Sequence, residues 1–136
     1  MKKKRVLFVC VGNACRSQMA EAFARKYGSD VLEASSAGLS PGIDIPPETH
    51  DVMLEKGISL RGQFSKPVLS LDENRFDLVV NMSGYPLSGV SPPRLREWAV
   101  RDPYGGKDAV HREVRDEIER LVMGLILELR RERSGN

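Results

Sequence analysis

Residues 5–28 read RVLFVCVGNACRSQMAEAFARKYG, and this stretch decides the fold of the chain. Its first apolar run, residues 5–10, is continuous rather than alternating, which is typical of a strand buried on both faces of a parallel sheet. A short loop follows. We expect Ser17 to cap a helix after it and Gly28 to end that helix. Apolar residues recur there at helical spacing: Ala20, Phe23, Ala24 and Tyr27.

The rest of the chain continues to alternate between strand and helix patterns. The pattern predicts three further strands and two further helices: strands at 31–38, 75–82 and 97–100, helices at 44–57 and 107–133. Asp44 is the expected cap of the second helix. This order predicts an α/β protein, a three-layer α/β/α domain with a parallel sheet over residues 1–136. Ligands of such sheets bind beyond the carboxyl ends of the strands, where the loop at 10–17 lies.

Length and charge limit the kinds of protein and partner. The 136 residues suit one domain, and 21 basic against 19 acidic residues give a net charge of +2. That small excess gives no reason to expect nucleic acid or a membrane as partner. No apolar run is long enough for a signal core or a membrane span, so we expect a cytoplasmic protein. The two cysteines, Cys10 and Cys15, lie too close together for a structural framework, which favours a reactive or redox role.

The loop between the first strand and the first helix has the features of an anion-binding site. Gly12 permits an unusual backbone dihedral and Asn13 tolerates left-handed geometry, so the N–H groups of residues 10–16 can converge on one point. The following helix adds its free N–H groups and the positive end of its dipole. Arg16 contributes a planar fork that can hold two oxygens of a tetrahedral oxyanion.

Cys10 lies at the base of this anion-binding loop and is the expected nucleophile. The positive field favours its thiolate, and the Ser17 hydroxyl can donate a hydrogen bond to the sulfur. A thiolate below a bound phosphoryl group can take that group as a thiophosphate, which water then hydrolyses. Asp102, in a turn stiffened by Pro103, is the expected general acid for the leaving oxygen, while Arg16 and the loop amides stabilise charge.

Three motifs resemble the low-molecular-weight protein tyrosine phosphatases, in the same order along the chain: VCVGNACRSQMAEA at 9–22, SSAG at 35–38 and DPYGG at 102–106. The resemblance implies a four-stranded parallel sheet, with Cys10 as nucleophile, Arg16 on the oxyanion and Asp102 as general acid. It implies no metal and no organic cofactor. It also implies that Asn13, Ser17 and Ser36 form a network that holds the loop in shape. The residues expected to contact the substrate are Val11, Gly12, Asn13, Ala14, Cys15, Ser17 and Tyr104.

The sequence also looks like the thioredoxin-coupled arsenate reductases of the same fold, through GNACRSQMAEA at 12–22 and SAG at 36–38. Those relatives carry two further cysteines just after the third strand, where this chain reads NMSGYPLSGVSPP at 81–93. Arsenate reduction by this chain would therefore need an external thiol such as glutathione, mycothiol or a redoxin, or an unusual role for Cys15.

Three functions thus remain open. A phosphatase acting on phosphotyrosine or aryl phosphates is the main prediction, although Tyr104 is the one tyrosine after Asp102 and no aromatic lip residue follows SSAG. An arsenate reductase with an external thiol is the alternative. A non-catalytic oxyanion-binding module is disfavoured, because binding alone needs neither Cys10 nor Asp102. The expected partners are a phosphorylated protein or a small oxyanion, phosphate or arsenate.

Four other side chains have more ordinary explanations. Cys15 is either a packed thiol or the partner of Cys10 in a reversible disulfide that protects the nucleophile. His50 and His111 lack metal partners in the sequence, so we expect both on solvated helix faces. Trp98 is expected in the core or in a pocket wall.

Overall fold

The computed structural model describes residues 2–69 and 75–135. Four parallel strands form one sheet in the order β2-β1-β3-β4, which confirms the predicted four-stranded parallel sheet and the α/β/α class, with turns and extended segments rather than helices as the third layer in the described residues. The helices and strands in chain order are β1 Lys4–Cys10, α1 Arg16–Gly28, β2 Leu32–Gly38, α2 Pro47–Leu54, β3 Leu78–Asn81, β4 Leu95–Glu97 and α3 Asp108–Gly135.

The central strand β1 is buried on both faces, as its continuous apolar run predicts. Its alternate side chains enter two separate clusters. Val6 and Phe8 pack into the large core beneath the helices. Leu7 and Val9 pack into a smaller cluster on the opposite face, which includes Val79 of β3. The carboxyl end of β1, where the candidate loop starts, is therefore held from both sides.

All three helices contribute to the large core on one face of the sheet. Buried side chains from α1, α2 and α3 meet there, among them Phe23, Met53 and Ile126. Gly28 is the last residue of α1, in agreement with the predicted end of the helix, and a Cβ added to it would lie 2.6 Å from Ile126 Cγ1, so Gly28 also permits close packing of α1 against α3. Over the opposite face, described residues 63–69 and 82–94 form turns and extended connections instead of helices.

Four predicted boundaries differ from the structure. The third strand, β3, is shorter than predicted. The fourth strand, β4, lies earlier in the chain than predicted, because Trp98 N–H donates to Asn81 O and the chain then leaves the sheet. The cap of α2 is Pro46 rather than Asp44, which lies too far upstream. Ser17 lies inside α1, so its hydroxyl is free for other contacts. None of the described helices is long and apolar enough to cross a bilayer.

A charged cluster joins the end of α2 to α3. Arg112 Nη2 lies 2.8 Å from Glu55 Oε2, and Arg115 Nη1 lies 2.7 Å from Glu55 Oε1. Arg115 also donates to Val52 O at 2.9 Å. Hydrogen bonds from Arg112 and then Arg115 lower the pKa of Glu55 to about 2. The carboxylate of Glu55 therefore links the two helices as long as it is ionised.

Glu55→Gln is expected to lower the melting temperature at pH 7. A carboxyl with a lowered pKa in the folded chain contributes stability above its ordinary value of 4.5 and loses that contribution as the pH falls toward about 2. The difference in melting temperature between wild type and Glu55→Gln should therefore shrink between about pH 5 and pH 2. Glu113→Gln, an exposed change on α3, is the control. If both variants differed from the wild type in melting temperature by the same amount across this pH range, Glu55 would not stabilise the contact between α2 and α3.

Candidate active site

The loop from Cys10 to Arg16 joins β1 to α1 through a left-handed turn. Asn13, not Gly12, takes the positive φ, at 50°, because its short polar side chain can bond locally. Gly12 serves another purpose, since a Cβ there would lie 3.2 Å from Ile43 Cδ1. The backbone of this turn is thus set by Asn13, while Gly12 leaves room for a neighbouring apolar side chain.

The loop presents unpaired backbone donors to a cavity. In the described part of the chain, none of the amide groups of residues 11–15 has a hydrogen-bond acceptor. They precede the N-terminus of α1, whose dipole adds positive potential. The cavity measures about 290 Å³, and its lining residues are Cys10, Val11, Gly12, Ala14, Cys15, Arg16, Ser40, Ile43, Asp102 and Tyr104. Such an arrangement can bind a tetrahedral anion.

Arg16 is held by one nitrogen, which leaves the rest of its guanidinium for a ligand. The side chain is buried, and Nη1 donates to Met82 O at 2.5 Å and to Val100 O at 3.1 Å. Nε has no partner among the described residues, and Nη2 lies 3.5 Å from Asp102 Oδ2. Sequence reasoning had no signal for the two carbonyls, because any residue can supply one.

Cys10 is buried at the base of the loop beside a directed hydroxyl. Its Sγ lies 2.9 Å from Ser17 Oγ. Asn13 Nδ2 donates to the same Oγ at 2.7 Å, so the hydroxyl proton of Ser17 is left to point at the sulfur. The Ser17 hydroxyl can therefore donate a hydrogen bond to the Cys10 sulfur. Asn13 and Ser17, both expected to touch substrate, are fully buried behind the loop and bond to each other.

A segment distant in sequence, residues 63–66, supports the loop from behind. Lys66 N donates to Asn13 Oδ1 at 2.9 Å, and Ser65 Oγ donates to Gly12 O at 2.8 Å. Gln18 Nε2 bridges the two segments by donating to Asn13 O at 2.9 Å and Phe64 O at 3.0 Å. The loop is therefore fixed before any ligand binds.

Ser36 contacts the buried carboxylate of Glu21, a residue whose role has no clear signal in the sequence. Its hydroxyl donates to Glu21 Oε1 at 2.5 Å. Arg25 Nη2 lies 2.5 Å from Glu21 Oε2, and Lys66 Nζ lies 3.9 Å from Glu21 Oε1. Burial lowers the pKa of Lys66, and the charge of Glu21 opposes that shift. Through Lys66, this cluster reaches the segment that holds Asn13. The described residues contain no group of three or more His, Cys, Asp or Glu side chains suited to a metal ion.

Asp102 and Tyr104 lie at the mouth of the cavity. The side chain of Asp102 is half exposed, and Tyr104 N–H donates to its Oδ1 at 3.0 Å. Its Oδ2 faces the Arg16 guanidinium at 3.5 Å. Tyr104 is 51% exposed. A carboxyl in this position can exchange protons with a group bound above Cys10.

His111 differs from its prediction, and Trp98 resolves a choice that the sequence left open. His111 is fully buried, so its prediction as a solvated residue is wrong. The signal was available, because His111 continues the apolar stripe that includes Val114 and Ile118 of α3. Trp98 packs against Phe8, with ring centroids 6.0 Å apart, and so belongs to the core.

Cys15 is a buried thiol that lines the same cavity as Cys10. Thr49 Oγ1 donates to its Sγ at 3.4 Å. Burial raises the pKa of the Cys15 thiol to about 12, although the Thr49 hydrogen bond acts in the opposite direction. Both cysteines are free thiols in this structure.

Unpaired loop amides ahead of a helix, a thiol at the loop's start and a buried guanidinium at its end define the class of α/β proteins with an oxyanion-binding loop. The chain belongs to the low molecular weight phosphotyrosine protein phosphatase family, which matches residues 5–135. This confirms the resemblance drawn from the sequence.

Relatives of this chain include both reductases and phosphatases. It is 34% identical to the glutaredoxin arsenate reductase of Synechocystis sp., over 93% of this chain and 98% of that protein. A structure of an arsenate reductase in the phosphate binding state has a TM-score of 0.80 at 33% identity, with 93% and 98% of the chains covered. The YwlE arginine phosphatase from Geobacillus stearothermophilus has a TM-score of 0.79 at 28% identity, with 95% and 94% covered.

Gly38→Ala is expected to disrupt the loop. A Cβ at Gly38 would lie 2.8 Å from both Asn13 N and Val11 O, and backbone atoms at this distance must shift. We expect a loss of about 2 kcal/mol in unfolding free energy and weaker binding of inorganic phosphate by calorimetry. Gly124→Ala, with nothing within 4 Å of the added Cβ, is the matched control and should stabilise α3. Unchanged phosphate affinity in Gly38→Ala would show that the loop does not depend on this contact.

Proposed function

We propose that this chain reduces arsenate, with Cys10 as nucleophile and an external thiol as the source of electrons. The observation that carries the proposal is the set of loop amides and the Arg16 Nε that have no acceptor in the described chain, next to the buried Cys10 thiol. Arsenate is a tetrahedral anion that matches these donors. Relatives named arsenate reductases, at 34% and 36% identity, support arsenate as the substrate.

In the proposed reaction the Cys10 thiolate attacks arsenic, and one arsenate oxygen leaves as water. Asp102 supplies a proton to that oxygen, and Arg16 with the loop amides stabilises the charge on the others. The arsenic–sulfur adduct then needs two electrons to release arsenite. Because Cys10 and Cys15 are the only cysteines in the sequence, turnover depends on a thiol of the glutathione, mycothiol or redoxin class.

Hydrolysis of phosphate monoesters is the second candidate, favoured by the position of Asp102. Its half-exposed carboxyl, beside Tyr104 at the cavity mouth, suits protonation of an ester oxygen and stacking of an aryl group. The substrate would be a phosphorylated protein or an aryl phosphate, and the intermediate a thiophosphate on Cys10. A relative at 28% identity is named an arginine phosphatase, which supports hydrolysis on this fold.

A paired assay separates the two reactions. Wild type and Cys10→Ser are tested for arsenite formation with glutathione, mycothiol or a redoxin, and separately for hydrolysis of para-nitrophenyl phosphate. We expect arsenite formation by the wild type and none by Cys10→Ser, because a serine hydroxyl cannot replace the thiolate as nucleophile at neutral pH. Hydrolysis without arsenite formation would transfer the assignment to a phosphatase. Phosphate binding with neither activity would leave a binding module.

Asp102→Asn tests the general acid in whichever reaction is observed. We expect the rate to fall by about 10²-fold, because an amide cannot donate the proton at the required step. Phosphate affinity should not fall, since the loop amides and Arg16 stay in place and one negative charge at the mouth of the cavity is removed. Asp51→Asn, an exposed change on α2, is the control for the loss of one negative charge. Equal rates in wild type and Asp102→Asn would exclude Asp102 as the acid.

A further inference from the structure

Cys15 belongs to a buried chain of hydrogen bonds that the chemistry of Cys10 does not use. From Cys15 Sγ the chain runs 3.4 Å to Thr49 Oγ1 on α2, and then 3.0 Å to His111 Nδ1 on α3. Thr49 and His111 are both fully buried, and Cys15 is 3% exposed. The loop before α1 and two helices thus bring a thiol, a hydroxyl and an imidazole within hydrogen-bonding distance of one another in sequence.

The buried imidazole of His111 lowers the stability of the fold at this position. His111 Nε2 has no hydrogen-bond partner among the described residues, although the ring is buried. Val114 and Ile118 on the same stripe of α3 are apolar, so packing alone would be served by an apolar residue at 111 as well. A buried polar atom left unpaired costs free energy. Among residues 2–69 and 75–135, the ring has one polar contact, to Thr49, and this contact is therefore the feature that explains the histidine.

The chain of atoms permits two arrangements of its protons. In the first, the Thr49 hydroxyl is turned away from Cys15 Sγ, to which it donates in this structure, and donates to His111 Nδ1, so that the Cys15 S–H can donate to Thr49 Oγ1. In the second, both protons have moved one step, so that Thr49 donates to a Cys15 thiolate and His111 Nδ1–H donates to Thr49. The Thr49 hydroxyl thus connects the thiol to a base that lies beyond direct reach.

We propose that Cys15 is the second thiol of arsenate reduction, and that Thr49 and His111 take up its proton when it attacks. This inference rests on the proposed reductase function. The Cys15 sulfur attacks Cys10 Sγ in the arsenic–sulfur adduct, and the bond between Cys10 and arsenic breaks with its electron pair going to arsenic. Arsenic(V) becomes arsenite, and two thiols become one Cys10–Cys15 disulfide. External thiols then reduce that disulfide and restore both cysteines.

The surroundings of Cys15 agree with a need for such a relay. Cys15 lines the same cavity as Cys10. Burial raises the pKa of Cys15 to about 12, and a thiol of that kind has very little thiolate at neutral pH. A connected proton acceptor removes this obstacle at the moment of attack. The chain also has no other cysteine that could carry out the step.

A single-turnover experiment tests the proposal. Fully reduced protein, freed of external thiol, is mixed with one equivalent of arsenate, and arsenite and remaining thiols are counted. Wild type should release about one arsenite per chain and lose both thiols, and Cys15→Ser should release none. If the wild type released arsenite only after glutathione was added, the role of Cys15 would be overturned and the reductase function would remain. No arsenite under either condition would overturn both.

Thr49 and His111 act through Cys15 and are positioning residues, so they need a separate readout. Thr49→Val and His111→Gln should slow the single-turnover burst by about 10²-fold, while their affinity for inorganic phosphate stays at the wild-type value. Thr49→Ser keeps the hydroxyl and should restore the burst. A wild-type burst in both Thr49→Val and His111→Gln would overturn the relay. A slow burst in Thr49→Ser would also overturn it, because packing and not the hydroxyl would then matter.

Discussion

The site depends on how the buried charge of Arg16 is compensated. An isolated guanidinium in a protein interior is strongly destabilising, and here two backbone carbonyls, those of Met82 and Val100, accept from a single nitrogen. These carbonyls follow β3 and β4, so the guanidinium ties the loop to the far half of the sheet. Because Nη1 is committed to the protein, Nε and Nη2 are held in place for a ligand, and an oxyanion finds its donors already oriented.

The loop's shape is likewise imposed by parts of the chain far from it. Asn13 adopts a positive φ, and its side chain bonds both Ser17 and the backbone of Lys66. The end of β2 passes so close to the loop that only a glycine fits at position 38. Preorganisation of this kind lets backbone amides stay unpaired toward the cavity instead of turning to each other. The same packing buries Cys15 against α2 and α3.

Local patterns were sufficient for much of the fold. The continuous apolar run of β1 and the helical spacing in α1 depend on neighbours along the chain, so the sequence predicted both elements. The position of β4 was wrong because a three-residue edge strand is defined by its hydrogen bonds to β3, which leave little pattern in sequence. His111 was misplaced for a different reason: its polarity outweighed the apolar stripe to which it belongs.

The sequence by itself determined the family, the parallel α/β architecture and the loop that presents Cys10 and Arg16, because these follow from short-range spacing and backbone preference. Only the tertiary structure decided what surrounds them. The carbonyls on Arg16, the support of Asn13 by residues 63–66 and the line from Cys15 through Thr49 to His111 join positions up to 84 residues apart. Such contacts arise from the packing of whole elements against each other, and no local pattern of residues encodes them.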